Sequence, residues 1–412
     1  MSNATPTPSF SGSVLEQPRR PWSVGEPPST YVISNVRAVL PDRVTDSASV
    51  VVEDGRIAAV QEISGKYAGD VDGANRLLIP GLIDVHSDAL ERERAPRASA
   101  ILPWDFALAS FESKLVGAGV TTIFHGAGFQ EQLAKGVERS AELAWEVCVL
   151  VTADRSHRVD HRILHRLDVR SEVGAQVLRR RLESLPPDAT SVLVSHEDHT
   201  PGQGQYADRE HFVNTLIAEG MTLDQARRHI ATKEADAAHT MHVRDENLRW
   251  LGRLAAVRRI RLLGHDPDTA DVVDGLIARG GTTAEFPTTV EAAERARELG
   301  LTIVVGAPNV LRGASHSGNV SAGELIAMGL ADALASDYLP TALLGSVFSL
   351  SRGGVVSLPA AVRLVTSGPA AVAGLSDRGQ IAEGMLADFA LVDDNRGSWP
   401  HVITTMKSTM QR

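Results

Sequence analysis

"LLIPGLIDVHSDALERERAPR", residues 77–97, begins as an apolar run and ends in a cluster of charge. Residues i and i+2 of a strand project to the same face, so His86 and Asp88 point together from the tip of a buried segment. An imidazole and a carboxylate converging there suit a divalent metal ion. One such pair serves equally well as a self-satisfied loop pair, so its meaning depends on whether the pattern recurs.

It does recur. Further strand candidates are "TTIFH", "RILHRLDV", "SVLVSH", "IRLLGH", "TTAEF", "TIVVGA" and "DALASD", with helical patterns between them. Three of the helices open on a capping-box pattern, Thr222 with Gln225, Thr288 with Glu291 and Ser321 with Glu324. Eight strands alternating with helices predict an α/β fold, a (β/α)8 TIM-like barrel, over residues 79–376. "VCVLV" at 147–151 is a ninth apolar run and leaves the strand count open.

The two ends of the chain read differently. Residues 1–29 are rich in Pro, Ser and Thr without a sustained period, which predicts a disordered tail. Residues 30–78 carry β-branched runs broken by turns, including Asp54-Gly55, and residues 377–412 again read as short strands. The expectation is a small flanking β-sandwich domain built from both ends.

Composition narrows the function. Of 412 residues, 43% are apolar and 22% charged, as in ordinary soluble domains. The net charge of −10, without a sustained basic run, argues against nucleic acid or membrane as partner. No signal-peptide segment or membrane span is evident, and the single cysteine, Cys148, excludes an internal disulfide. A cytoplasmic enzyme acting on a small molecule fits, and a homo-oligomer is left open.

Metal-competent side chains fall where the strands end, which is where such a barrel places its active site. They are His86, Asp88, His125, Asp168, His196, His199, His265, Asp266, Glu285 and Asp337. Imidazoles and carboxylates without a usable thiol suit one or two divalent ions, Zn²⁺, Mn²⁺ or similar.

"IPGLIDVHSD", the barrel pattern, the last-strand "SD" and the split flanking sheet resemble the amidohydrolase superfamily. "SHEDHTPGQGQYADRE", "AEFPTTVEAA", "GAPNVLRGASHSGNVSAGEL" and "ASDYLPTALL" resemble, within it, the α-D-ribose 1-methylphosphonate 5-triphosphate diphosphatases of the carbon–phosphorus lyase pathway. The resemblance implies hydrolysis of a ribosyl 5-triphosphate to the 5-phosphate and pyrophosphate. It implies His86, Asp88, Asp168, His199 and His265 as metal ligands and Asp337 as catalytic base. The chain departs from the family pattern at "ALERERAPRAS", at His125 where Asp is typical, and at Asp168 where Glu is.

Two rivals are weighed. One is hydrolysis of an amide or N-acyl bond, as in a deacetylase or cyclic-imide hydrolase; the other is a non-enzymatic scaffold. Many relatives bridge two metals with a carbamylated lysine, yet none of the lysines (66, 114, 135, 233 and 407) ends an apolar strand. Phosphate chemistry is favoured by "NVLRGASHSGN" (309–319), where Arg312, His316, Ser317 and Asn319 supply donors among small residues. Arg97, Arg209 and Glu285 complete the candidates for substrate binding.

Overall fold

Burial on both faces explains why the barrel strands read as nearly continuous apolar runs. The computed structural model describes residues 27–62, 69–97, 100–134, 137–153, 158–218, 220–315, 319–394 and 399–408. The barrel strands are β1 (Leu82–Ser87), β2 (Val120–Phe129), β3 (Asp160–Asp168), β4 (Leu193–Glu197), β5 (Arg261–His265), β6 (Gly281–Glu285), β7 (Thr302–Gly306) and β8 (Ala333–Ala335). They form one parallel sheet in chain order. Ile83, Phe124, Leu164, Leu193, Leu263 and Val304 share one core cluster. Their chain neighbours Leu82, Ile123, Val194, Leu262 and Ile303 join a second cluster with the surrounding helices.

The first and last strands meet at a bridge between Ser87 and Asp337. Asp337 N donates to His86 O at 3.0 Å, and Asp88 N to Asp337 O at 2.5 Å. Beneath this seam the buried Asp84 carboxylate accepts from Ser336 N at 3.1 Å. The barrel therefore closes through the segments that carry the candidate residues.

The ninth apolar run is helical: 147–151 lies in Ala141–Ala153, with Cys148 buried. The capping box at Thr222 forms as expected. The helix Val290–Glu298 is instead capped by Thr289, whose side chain accepts from Ala292 N, one residue later than the pattern suggested. Ser321 precedes its helix without a side-chain cap bond.

The flanking unit is one six-stranded sheet. Its order is 401–406, 389–393, 71–80, 31–38, 48–53, 56–62, so strands from both ends of the chain lie side by side. Phe389 pairs with Pro80 and Leu391 with Leu78. Asp54 and Gly55 both take positive φ (48° and 75°), which matches the tight hairpin turn their sequence predicts. The strand Val71–Pro80 leads through Gly81 into β1. A Cβ at Gly81 would stand 2.3 Å from Thr121 Oγ1, so the junction requires glycine.

Candidate active site

At the carboxyl end of the barrel, β1, β4, β5, β6 and β8 bring histidines and carboxylates together. Pairing between β1 and β2 slips between Asp84 and Ser87, an irregularity of the kind that re-aims side chains beside active sites. Among the described residues, three overlapping groups have ligand atoms within 4.8 Å of one another: His86, His265 and Glu285; His199, His265 and Asp266; His86, Asp88 and Asp337. Asp266, Phe286 and Asp337, each just beyond a strand, have φ of 50°, 56° and 57°. For a bulky residue such as Phe this backbone is costly, and such strain clusters at functional sites.

Glu285 organises the floor. It is fully buried; Oε1 meets His86 Nδ1 at 2.8 Å, and Oε2 meets His265 Nδ1 at 2.9 Å and accepts from Ser195 Oγ at 2.7 Å. Burial would raise its carboxyl pKa, but His86 and His265 hold it well below the usual range. A carboxylate on Nδ1 leaves each Nε2 for a ligand and fixes the ring, the usual outer-shell arrangement around metal-binding histidines. Glu285, expected among the substrate contacts, thus has both oxygens engaged beneath the histidines.

The His265 imidazole is lowered by burial and raised more by Asp266, Glu197 and Glu285, reaching about 10. In the ion-free chain it carries a proton that a metal would displace. Burial moves Asp266 up to about 6. His199 is lowered to about 4, chiefly by burial, and is therefore neutral and able to ligate at neutral pH.

Whether this donor set fits a metal can be judged from what it leaves unpaired. Asp88 Oδ1, His199 Nε2 and Asp266 Oδ2 are buried without a hydrogen-bond partner. Such atoms each cost on the order of 1–3 kcal/mol unless something satisfies them. Imidazole nitrogens and carboxylate oxygens grouped within 4.8 Å of one another fit a divalent ion of the Zn²⁺ or Mn²⁺ type.

The amidohydrolase family pattern matches residues 213–406. The chain is also 35% identical to the α-D-ribose 1-methylphosphonate 5-triphosphate diphosphatase of Escherichia coli (strain K12), over 90% of this chain and 98% of that one. The chain belongs to the amidohydrolase family. Solved amidohydrolase-like folds agree at the level of architecture. The β-aspartyl dipeptidase of Fervidobacterium islandicum AW-1 is 17% identical with a TM-score of 0.55, covering 93% of this chain and 99% of its own. An enamidase of the amidohydrolase superfamily is 18% identical with a TM-score of 0.54, covering 92% and 94%.

Other candidates in this amidohydrolase fall elsewhere. Asp168 ends β3 but stands outside the three groups; its Oδ1 accepts from Arg170 N at 2.9 Å in a local turn. His125 is not a strand-end residue, because β2 continues to Phe129. Its ring packs against Phe111 of the helix Trp104–Gly117, outside the barrel. His196 alternates with Ser195 and Glu197, and burial drives it down to about 3. Arg209 is exposed and bonded to Glu234 at 3.1 Å, and Arg97 is exposed. Arg312 ends the helix Ala307–Arg312 and donates to Tyr338 Oη at 3.2 Å. Asn319 is half-buried, while His316 and Ser317 lie outside the described residues.

Two residues escaped the sequence reading. Arg166, inside β3, bonds Asp88 Oδ2 and Glu197 Oε1 at once. Glu197 is buried at the end of β4; burial would raise it, but Arg166 and the nearby histidines hold it at about 2. Parity was the available signal, since Arg166 shares a face with Leu164, and Glu197 with Ser195.

Proposed function

We propose that the chain hydrolyses α-D-ribose 1-methylphosphonate 5-triphosphate to the 5-phosphate and pyrophosphate at a divalent-metal centre. The observation that carries this reading is the 35% identity to the diphosphatase over nearly the full length of both chains. The site geometry supports it. His86, Asp88, His199, His265 and Asp266 would hold the ion, with Asp168 standing apart. When bound, a Zn²⁺- or Mn²⁺-type ion would polarise a phosphoryl oxygen and lower the pKa of water from 15.7 to about 7.

The chain's own groups would do the rest. Asp337, pinned through its main chain to β1, would take the proton of the attacking water. Its neighbour Tyr338 sits between two guanidiniums, Arg312 at 3.2 Å from the hydroxyl and Arg92 at 4.7 Å from the ring centroid. These cations at the mouth would meet the phosphoryl oxygens as charge develops on the leaving pyrophosphate. Among the described lysines, Lys114 bonds Glu93 and Lys407 bonds Asp388. Lys233 lies on the helix Leu223–His239, and none of the three ends a barrel strand. This disfavours a carbamylated-lysine amide hydrolase.

The test is product analysis. With added Mn²⁺ or Zn²⁺, the ribosyl triphosphate should yield pyrophosphate and no orthophosphate, and a reaction in ¹⁸O water should label the ribosyl 5-phosphate. Orthophosphate release would mean attack at the γ-phosphorus. Label in pyrophosphate would mean attack at the β-phosphorus, and either result would discard the mechanism.

A further inference from the structure

We propose that Arg166 is a built-in cation that takes the place of a second metal ion, so that the centre holds one ion per chain. This rests on the reading of the site as a metal centre and concerns how many ions that centre admits.

Two-ion hydrolytic sites hold their ions about 3.5–4 Å apart, and oxygen ligands lying between the ions must serve both. The buried carboxylates at the ends of β1 and β4 suited to such sharing are Asp88 and Glu197. Arg166 holds one oxygen of each, through Nη1 on Asp88 Oδ2 and Nε on Glu197 Oε1. Asp88 Oδ2 also accepts from Arg139 Nη2 at 3.0 Å, and Arg139 reaches Glu91 at 2.8 Å. Asp88 is left with one free oxygen, Oδ1, which stands 3.8 Å from His86 Nε2. It is the one oxygen that Asp88 still offers to an ion.

The neighbouring wall is shaped around this guanidinium. A Cβ at Gly126 of β2 would stand 2.4 Å from Asp88 Oδ1 and 3.0 Å from Arg166 Cδ. Only glycine leaves room for both side chains as they lie. Burying a lone guanidinium is strongly unfavourable, and pairing with two buried carboxylates is what offsets it. An arginine side chain keeps its proton at every accessible pH, so the charge between Asp88 and Glu197 is permanent. A second dication would have to displace this cation or share its carboxylates with it.

The number of ions is the readout, measured apart from activity. The full-length chain is saturated with Mn²⁺ or Zn²⁺, freed of excess ion by gel filtration, and analysed by elemental and native mass spectrometry. The wild type should hold one ion per chain. Arg166→Met frees Glu197 and leaves Asp88 paired with Arg139 alone, and should raise the number to two, whereas Arg166→Lys keeps a cation and should stay at one. Two ions in the wild type would overturn the inference and leave the metal centre standing, whether or not any variant folds. One ion in a folded Arg166→Met protein would also overturn it. No ion at all would overturn the metal reading itself, and this inference with it.

Discussion

Inside the barrel, His86, His199, His265, Asp88 and Asp266 lie in overlapping groups, with three of their buried polar atoms lacking a hydrogen-bond partner. Outside it, between β2, β3 and the helix Trp104–Gly117, His125, His161 and Glu112 make a second buried set from the same residue types. There His125 Nε2 meets His161 Nδ1 at 2.8 Å, and His161 Nε2 meets Glu112 Oε2 at 3.4 Å. Arg158 adds a charge 3.6 Å from Glu112. In this trio only His125 Nδ1 lacks a partner. The outer set is a chain in which each ring serves the next, and the inner set is made of overlapping groups of three whose ligand atoms lie within 4.8 Å of one another. Residue type alone does not separate a ligand from a packing group; the direction in which the lone pairs converge does.

The comparison breaks most sharply if the inner set is dispensable. His265→Ala removes a member of two of the three groups and a partner of Glu285, so bound metal and turnover should both fall to background while the barrel stays folded. Elemental analysis beside far-UV circular dichroism reads this directly. Unchanged metal content in a folded variant would take His265 out of the ligand set.

Asp337→Asn comes next. The amide is nearly isosteric and retains the main-chain bonds to β1, but it cannot take a proton. Loss of a general base typically costs on the order of 10²–10⁴ in rate, so kcat should fall by that much with metal content largely kept. A variant that loses its metal instead would show Asp337 to be chiefly a ligand.

The contrast between the two sets also shows where sequence reading ends. The eight strands were legible because apolar, β-branched segments alternate with well-capped helices, and the convergence of His86, His199, His265 and Asp337 followed from their strand ends. His125 was misplaced because "HGAGF" looks like a strand stopping at glycines, whereas β2 runs to Phe129. Four further residues make the face of the sheet, and not its end, decide where His125 points. Arg166 was lost among abundant arginines, and Glu197 behind the two histidines of "SHEDH". Their pairing joins strands β1, β3 and β4, a relation that spacing along the chain does not contain. Asp168 turns toward its own loop for a local reason, since a carboxylate two residues before an amide readily accepts from it.

A smaller effect is expected at Glu285, which acts through His86 and His265 and not on the ion. Glu285→Gln keeps the shape but cannot accept from both Nδ1 groups and Ser195 as an anion does. Outer-shell changes of this kind typically cost about 10–100-fold in metal affinity or activity. Competition with a chelator should therefore show weaker retention, restored at high metal concentration together with turnover. Loss that excess metal cannot restore would mean that Glu285 is itself a ligand.

The smallest effect on function belongs to the outer set. His125→Phe keeps a ring against Phe111 and removes the bond to His161, so metal content and kcat should stay within about twofold of wild type, the ordinary reach of a residue outside the site. Stability should drop by about 1–3 kcal/mol, because His161 Nδ1 loses its buried partner. The dependence on pH adds a second signature. Burial, and then the neighbouring His161, push the His125 pKa well below its ordinary value of 6.5. Below pH 6.5 the unfolded chain therefore binds a proton there that the folded chain does not. Stability from this group is whole above that pH and is lost as pH falls toward the folded value, by at most about 1.4 kcal/mol per pH unit. The phenylalanine variant should be less stable than wild type at pH 8, and the gap should narrow as pH falls from 6.5 to 5. Urea titrations of the metal-free proteins across that range measure it, and a gap that stays constant or widens would show that His125 is not held neutral in the fold.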